Sequence, residues 1–340
     1  MKLGKNLTLV LVSICSLLMA SSMPKQVKAE ESQYKIKFYS IAAPWAPVNV
    51  AAKKLSDYLK KRSEGKVELV MFTAGQLGAE SAAMNQLQLG TLQTAAITGV
   101  AISTIEPKAN VFMLPFVFNN YDDVKKFARS DLILELDRSL QKKNLRIMGV
   151  TTYGFFNILS TKKFIIAPDD FKGIKIRVYP TPILTDMYKL LGACPTPVAF
   201  TEVYTALQQG VVEATDGTFD SAYASKQYEV AKYLTMTKHV VGWFLYLANK
   251  QWFDSLPEEI KRILSEGFEL YSEVATNESE NFERETAELF KKKGVKIKEL
   301  SKSEREVLSK ALYPLHEKYR SRIGGDFLKR FYEATGFVKP

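Results

Sequence analysis

A single arginine stands in a short strand pattern, Lys175-Ile176-Arg177-Val178, with apolar Ile174, Ile176 and Val178 around it. A guanidinium presents its donors in a planar fork that matches a carboxylate bidentately. Apolar neighbours would leave that fork partly desolvated, so the residue and its setting point to binding of an organic anion. A structural arginine, paired with a nearby acid or solvated at a strand end, fits the same pattern. Further on, the strand pattern Val211-Val212-Glu213-Ala214-Thr215 runs into the polar turn Asp216-Gly217. Ligands of α/β proteins sit at the ends of strands, which makes Arg177 and Asp216-Gly217 the two ends of one candidate site.

Other chemistries lack their residues. The chain has no phosphate loop, no dinucleotide glycine fingerprint and no Gly-x-Ser-x-Gly elbow. Its two histidines, His239 and His316, lie beside no evident nucleophile, so a Ser/His triad has no support. Past residue 29 the only cysteine is Cys194. An internal disulfide is then impossible and a Cys/His zinc site lacks ligands. Cys194, in Gly192-Ala193-Cys194-Pro195, reads as a small buried residue with no base at hand to form a thiolate. Asp169-Asp170 and Glu258-Glu259 read as charges at helix starts. Binding without catalysis, cofactor or metal is the expectation. The catalytic alternative is a secreted enzyme of unrecognised type with Asp216 as general base.

The elements that must hold these residues are legible in outline. Lys2 and Lys5 precede the apolar run Leu7 to Ala20, and Val27-Lys28-Ala29 supplies small residues at a cleavage site. Residues 1–29 therefore read as a secretory signal peptide that sends the protein to the periplasm. Cys15 follows Val12-Ser13-Ile14, which does not suit a lipid-anchor signal. That segment holds four lysines and no acid, so its removal lowers the formal charge from +10 to +6. The remaining charges are interspersed, as in Lys53-Lys54-Leu55-Ser56-Asp57, and read as solvated helix faces. No nucleic-acid partner is expected. A nucleic-acid or surface binder would rest on the charge alone. With 340 residues, 46% of them apolar and 25% charged, the chain can build two soluble lobes.

Tyr34 to Tyr39 and Lys66 to Phe72 read as strands flanking a helix with its apolar face at Val48, Ala51, Ala52, Leu55 and Leu59. Such a βαβ unit makes the two strands parallel neighbours. A helix from about Glu80 to Leu89 stopped by Gly90, a buried strand Thr94 to Ile97, a helix capped by Asn119 or Asn120, and a strand Leu145 to Thr151 follow. After Arg177, Thr181 and Thr201 are the expected caps of two short helices, and a third is expected from about Ser221 to Tyr233. Trp243 to Ala248 reads as a central strand. Ser255-Leu256-Pro257-Glu258 reads as a capping box opening a helix that runs past Glu288, long enough to brace two lobes, and Ser301-Lys302-Ser303-Glu304 as another.

Four blocks carry a resemblance: Gly75-Gln76-Leu77-Gly78 with Gln86 to Leu92; Leu114 to Phe118; Pro168 to Arg177; and Leu191-Gly192-Ala193 through Pro195-Thr196-Pro197 to Glu213. In these the chain resembles the solute-binding proteins of tripartite ATP-independent periplasmic (TRAP) transporters over essentially its whole length beyond the signal peptide. The resemblance implies an α/β, two-lobed periplasmic-binding-protein-like fold with a ligand cleft between the lobes. The lobes would be 30–154 with about 243–282, and 155–242 with about 283–340, braced by the long helix. It further implies a monomer that captures a small organic acid and delivers it to the membrane subunits of a TRAP permease. Arg177 would meet the ligand carboxylate and Phe200 would lie against the ligand. Thr98 and Trp45 would reach the cleft from the first lobe.

Two departures bear on specificity. Many relatives carry a Gln-Glu-Asn-Pro-like turn whose asparagine touches the carboxylate. Here the turn is Thr215-Asp216-Gly217-Thr218, so Gly217 holds that position without a side chain. Many also carry a second arginine where this chain has Phe156, or Asn157 if the register slips by one. One guanidinium in place of two, with Trp45, Phe156, Phe200 and Phe219, suggests a monocarboxylate with an apolar or aromatic tail. A C4-dicarboxylate or a sugar acid is the alternative.

Overall fold

A computed structural model describes residues 33–340, so the expected signal peptide lies outside the described residues. Two mixed sheets organise the chain. The first has five strands in the order β2-β1-β3-β10-β4 and the second six in the order β11-β9-β5-β8-β6-β7. Strands β1 (Tyr34–Ser40), β2 (Val67–Phe72), β3 (Thr94–Thr98), β4 (Leu145–Phe155) and β10 (Val241–Asn249) make the first. The second comprises β5 (Asn157–Ser160), β6 (Lys175–Val178), β7 (Cys194–Pro197), β8 (Ala214–Gly217), β9 (Tyr233–Met236) and β11 (Lys296–Glu299). The chain passes between the sheets at Phe156, again between Met236 and Val241, and a third time between Asn249 and Lys296. As expected, β1 and β2 are parallel neighbours, Tyr34 opposite Val67. Strand β10 is buried at every position and lies between β3 and β4, antiparallel to both.

Helices α1 (Pro47–Arg62), α2 (Glu80–Leu89), α3 (Gly99–Ile102), α4 (Tyr121–Ala128) and α5 (Asp131–Gln141) accompany the first sheet. Gly90 ends α2 in the left-handed conformation (φ 79°), which glycine adopts without a Cβ penalty. The Asn120 side chain caps α4 through the Asp123 amide. Helices α6 (Pro182–Leu190), α7 (Val203–Gln208) and α8 (Phe219–Ala224) accompany the second sheet. The short α9 (Lys250–Asp254) then leads to α10 (Glu258–Lys292), whose 35 residues extend about 52 Å at 1.5 Å per residue. Helix α10 packs on α1 and β4 of the first layer and on α8 and β11 of the second. Helices α11 (Lys302–Ile323) and α12 (Gly325–Thr335) close the chain, α11 opening with the expected Ser301–Glu304 capping box. No described helix is long and apolar enough to cross a membrane.

Several local expectations are corrected. The Thr181 side chain caps nothing, and Thr201 falls inside a 3-10 turn, Phe200–Glu202, so that Glu202 precedes α7. Pro257 rather than Ser255 precedes α10, because Ser255 closes α9 with its own amide and hydroxyl. The helix expected from Ser221 to Tyr233 stops at Ala224: Lys226 turns left-handed (φ 53°) and Tyr233 begins β9. Cys194 is exposed, on the edge strand β7.

Candidate functional site

Arg177 lies in β6 between β7 and β8, where Val198 and Tyr179 flank the strand's end. Its side chain is 6% exposed, and burial pulls its pKa below the ordinary guanidinium value. Nε donates to the Val198 carbonyl at 3.0 Å, which fixes the plane of the fork. Nη2 is buried without a partner among the described residues. Arg177 lines a cavity of about 110 Å³ between the two sheets, lined from one side by Ile41, Ala42, Glu80, Thr98, Val100 and Phe244. Tyr179, Leu184, Phe200, Asp216, Gly217, Asp220, Ser221 and Gln227 line the other side, and Tyr153 and Phe156 sit near the crossover. The only cation among the described lining residues is Arg177.

Three buried carboxyls share this cavity. Glu80, at the start of α2, accepts from the Thr98 amide at 2.8 Å and from the Thr98 hydroxyl at 2.9 Å. Burial outweighs those bonds and raises its pKa to about 7. Burial likewise raises Asp216 to about 6 against the pull of Arg177, and Asp220 to about 7. Tyr153 feels all three carboxylates, and burial with those charges raises its hydroxyl well above the ordinary value. Its ring rests on Gly242, where a Cβ would come within 2.6 Å of the ring, and against Phe244 with centroids 4.7 Å apart.

Behind Asp216 runs a hydrogen-bonded chain. The Tyr188 hydroxyl donates to Asp216 Oδ2 at 2.9 Å and meets His239 Nε2 at 3.0 Å. Its single proton is committed to the carboxylate, so His239 Nε2 donates to Tyr188. His239 Nδ1 then accepts from the Thr237 hydroxyl at 2.7 Å. Burial, reinforced by Arg305, lowers the His239 pKa to about 3 and keeps the ring neutral. Tyr188→Phe would strand both Asp216 Oδ2 and His239 Nε2 in the interior. We expect it to cost about 1–3 kcal/mol of stability in chemical denaturation, and an unchanged midpoint would show that the chain does not hold Asp216.

The structure brings six of the eight residues singled out from sequence to this cavity: Arg177, Phe200, Asp216, Gly217, Phe156 and Thr98. At Gly217 a Cβ would approach Ser221 Oγ to 2.7 Å, so the bare backbone admits the helix α8 at this point. Asn157 and Trp45 are elsewhere. The buried Asn157 amide donates to the Phe155 carbonyl and its oxygen accepts from the Lys238 amide, which ties the two crossover strands together. Trp45 stacks on Phe282 of α10 (5.5 Å, 19°) and meets Tyr223 of α8 edge-on (4.9 Å, 78°), outside the lining. Glu80, Tyr153, Tyr179, Asp220 and Gln227 were not singled out. Asp220 has a readable signal, four residues after Asp216 beside a helix start, and Glu80 comes two residues after the Gly75–Gly78 block; the others have none.

Two sheets facing across a cleft, with one desolvated guanidinium on its wall, are the architecture of the two-lobed α/β binding proteins. The chain belongs to the bacterial extracellular solute-binding protein family 7, whose model matches residues 38–322. It is 28% identical over 304 residues to the C4-dicarboxylate-binding protein DctB of Bacillus subtilis, covering 89% of this chain and 87% of that protein. It is 30% identical over 275 residues to the sialic acid-binding periplasmic protein SiaP of Vibrio cholerae, covering 81% and 84%. The sugar acid binding protein of Advenella mimigardefordensis, solved with galactonate, superposes with a TM-score of 0.85 at 28% identity, covering 90% of this chain and 99% of that one. These relatives are named as binding proteins, in line with the expectation of binding without catalysis.

Proposed function

We propose that this protein captures a small carboxylate outside the cytoplasmic membrane and passes it to a TRAP-type membrane permease. The observation that carries the reading is Arg177, which lines the cavity between the two sheets and whose buried Nη2 has no partner among the described residues. The relatives named for dicarboxylates, sialic acid and galactonate support the ligand class. A lone guanidinium among mainly apolar walls supports one carboxylate on a partly apolar body. The lobes of this reading are 30–154 with about 243–282 and 155–242 with about 283–340. The two sheets support the division in outline, although Val241 and Gly242 pair in the first sheet and the C-terminal helices reach across it, Phe331 packing on Phe127 of α4 at 5.1 Å and Arg330 pairing with Glu135 of α5. A cleavable signal over residues 1–29, periplasmic residence and a monomeric state complete the proposal. Trp45, reaching from the first lobe to Tyr223, would hold the closed cleft from its rim, and Asn157 would brace the crossover beneath it.

Native mass spectrometry of the protein as purified tests the reading. A bound mass that resolves to a carboxylic acid is expected; recovery of only ligands without a carboxylate would remove the role given to Arg177.

A further inference from the structure

Beyond Arg177, the same cavity holds acceptors that no protein donor meets. Asp216 is 2% exposed; its Oδ2 takes the Tyr188 proton, and its Oδ1 has no partner among the described residues. Gln227 is 1% exposed; its amide nitrogen donates to Ser225 Oγ at 2.7 Å, and its oxygen is buried and unpaired among the described residues. Asp220 is 7% exposed and makes no hydrogen bond or ion pair among the described residues. All three belong to one stretch of chain, Asp216 in β8, Asp220 in α8 and Gln227 in the 3-10 turn that follows, and all three line the cavity.

A simple carboxylate answers Arg177 and leaves these acceptors worse off. It brings acceptors only, and it adds a negative charge to a cavity that sets one guanidinium against the carboxyls of Glu80, Asp216 and Asp220. Unpaired buried acceptors are costly. A primary ammonium carries three N–H donors and no acceptor, enough to give each of the three residues one donor, and it offsets the negative charge. A hydroxyl offers one donor and compensates no charge. We propose, building on the carboxylate reading, that Asp216, Asp220 and Gln227 form a second subsite for an ammonium group, so that the ligand is a zwitterionic amino acid in the broad sense. Its body would lie against Leu184, Phe200 and Phe244. Burial raises Asp216 to about 6 and Asp220 to about 7, and an ammonium beside them would draw both back to the ionised form.

Calorimetry at neutral pH with two matched series tests this: phenylalanine, 3-phenyllactate and 3-phenylpropionate; and 5-aminovalerate, 5-hydroxyvalerate and valerate. In at least one series the ammonium member should bind about tenfold or more tightly than its hydroxyl and unsubstituted partners, the step expected of a charge-assisted pair. Asp220→Asn should weaken the amino member and strengthen the unsubstituted one, since it removes both an attraction and a repulsion. Should that variant fail to fold, the wild-type comparison decides alone. If hydroxyl or unsubstituted acids equal or exceed the amino acids in both series, the ammonium subsite is overturned and the carboxylate reading stands. If no member binds, and a wider screen of carboxylates yields none either, both readings fall.

Discussion

Arg177→Ala should raise the dissociation constant for the cognate carboxylate from about thirtyfold to several thousandfold, the span of about 2–5 kcal/mol seen when one partner of a buried charge pair is removed. The reason is local. Nε is anchored on the Val198 carbonyl at 3.0 Å, so the fork is held in place before the ligand arrives and little ordering cost remains. Nη2 is already desolvated without a partner, so a ligand oxygen gains a charge-assisted bond without displacing a protein acceptor. Arg177→Lys keeps the charge but loses the fork and the Val198 bond, and should fall between wild type and alanine. Stability should move much less, by about 1 kcal/mol for the lost Val198 bond. Calorimetry against thermal denaturation separates the two effects. Wild-type affinity in a folded Arg177→Ala protein would sink the assignment of the anchor.

Arg177 was legible as a candidate because strand pattern, apolar flanks and a cation coincide in four consecutive residues, and because the Pro168–Arg177 block carries the family resemblance. The βαβ unit, the long helix and the Ser301 cap were legible for a similar reason: each is specified by residues close in sequence. What failed depended on tertiary partners. Val211 and Val212 read as strand, yet β8 begins only at Ala214, because Val212 is buried with Val203, Ala206 and Leu207 of α7 while Val211 stays half exposed. Cys194 read as core because its sequence neighbours are small and apolar, but β7 is an edge strand and leaves it exposed. Asp216 was legible at its strand end, but its acidic companions were not. Glu80 opens α2 and Asp220 lies in α8, and only the facing of the two sheets sets them beside Asp216 and gives the cavity its excess of carboxyls.

The facing of those sheets depends on how α10 is seated, and Gly149 is where the seating is tightest. It lies in β4, where a Cβ would stand 2.1 Å from Ser272 Oγ and 2.9 Å from the Phe268 carbonyl oxygen of α10. Gly149→Ala must therefore push the helix away from the strand. Overpacking of this kind costs about 1–3 kcal/mol, and the backbone oxygen in the clash places this case at about 3. At about 2.1 cal/mol/K of unfolding entropy per residue, that is a fall of roughly 5 °C in melting temperature for a chain of this size. The loss should not stay local. Next to Gly149 the helix is bonded to the strand by Thr276 with Thr151 at 3.0 Å and by Ser279 to the Thr152 carbonyl at 2.7 Å. Farther along, Phe282 of the same helix carries Trp45, which touches Tyr223 across the cleft. A displaced helix strains those bonds and moves the rim, so ligand affinity should fall with stability although no ligand contact has changed. Adding Ser272→Ala removes the hydroxyl clash but leaves the Phe268 carbonyl in place, so it should restore part of the melting temperature and not all of it. A Gly149→Ala protein that melts like wild type would mean that α10 does not lie against β4 at this spacing, and the brace between the two sheets would need another origin.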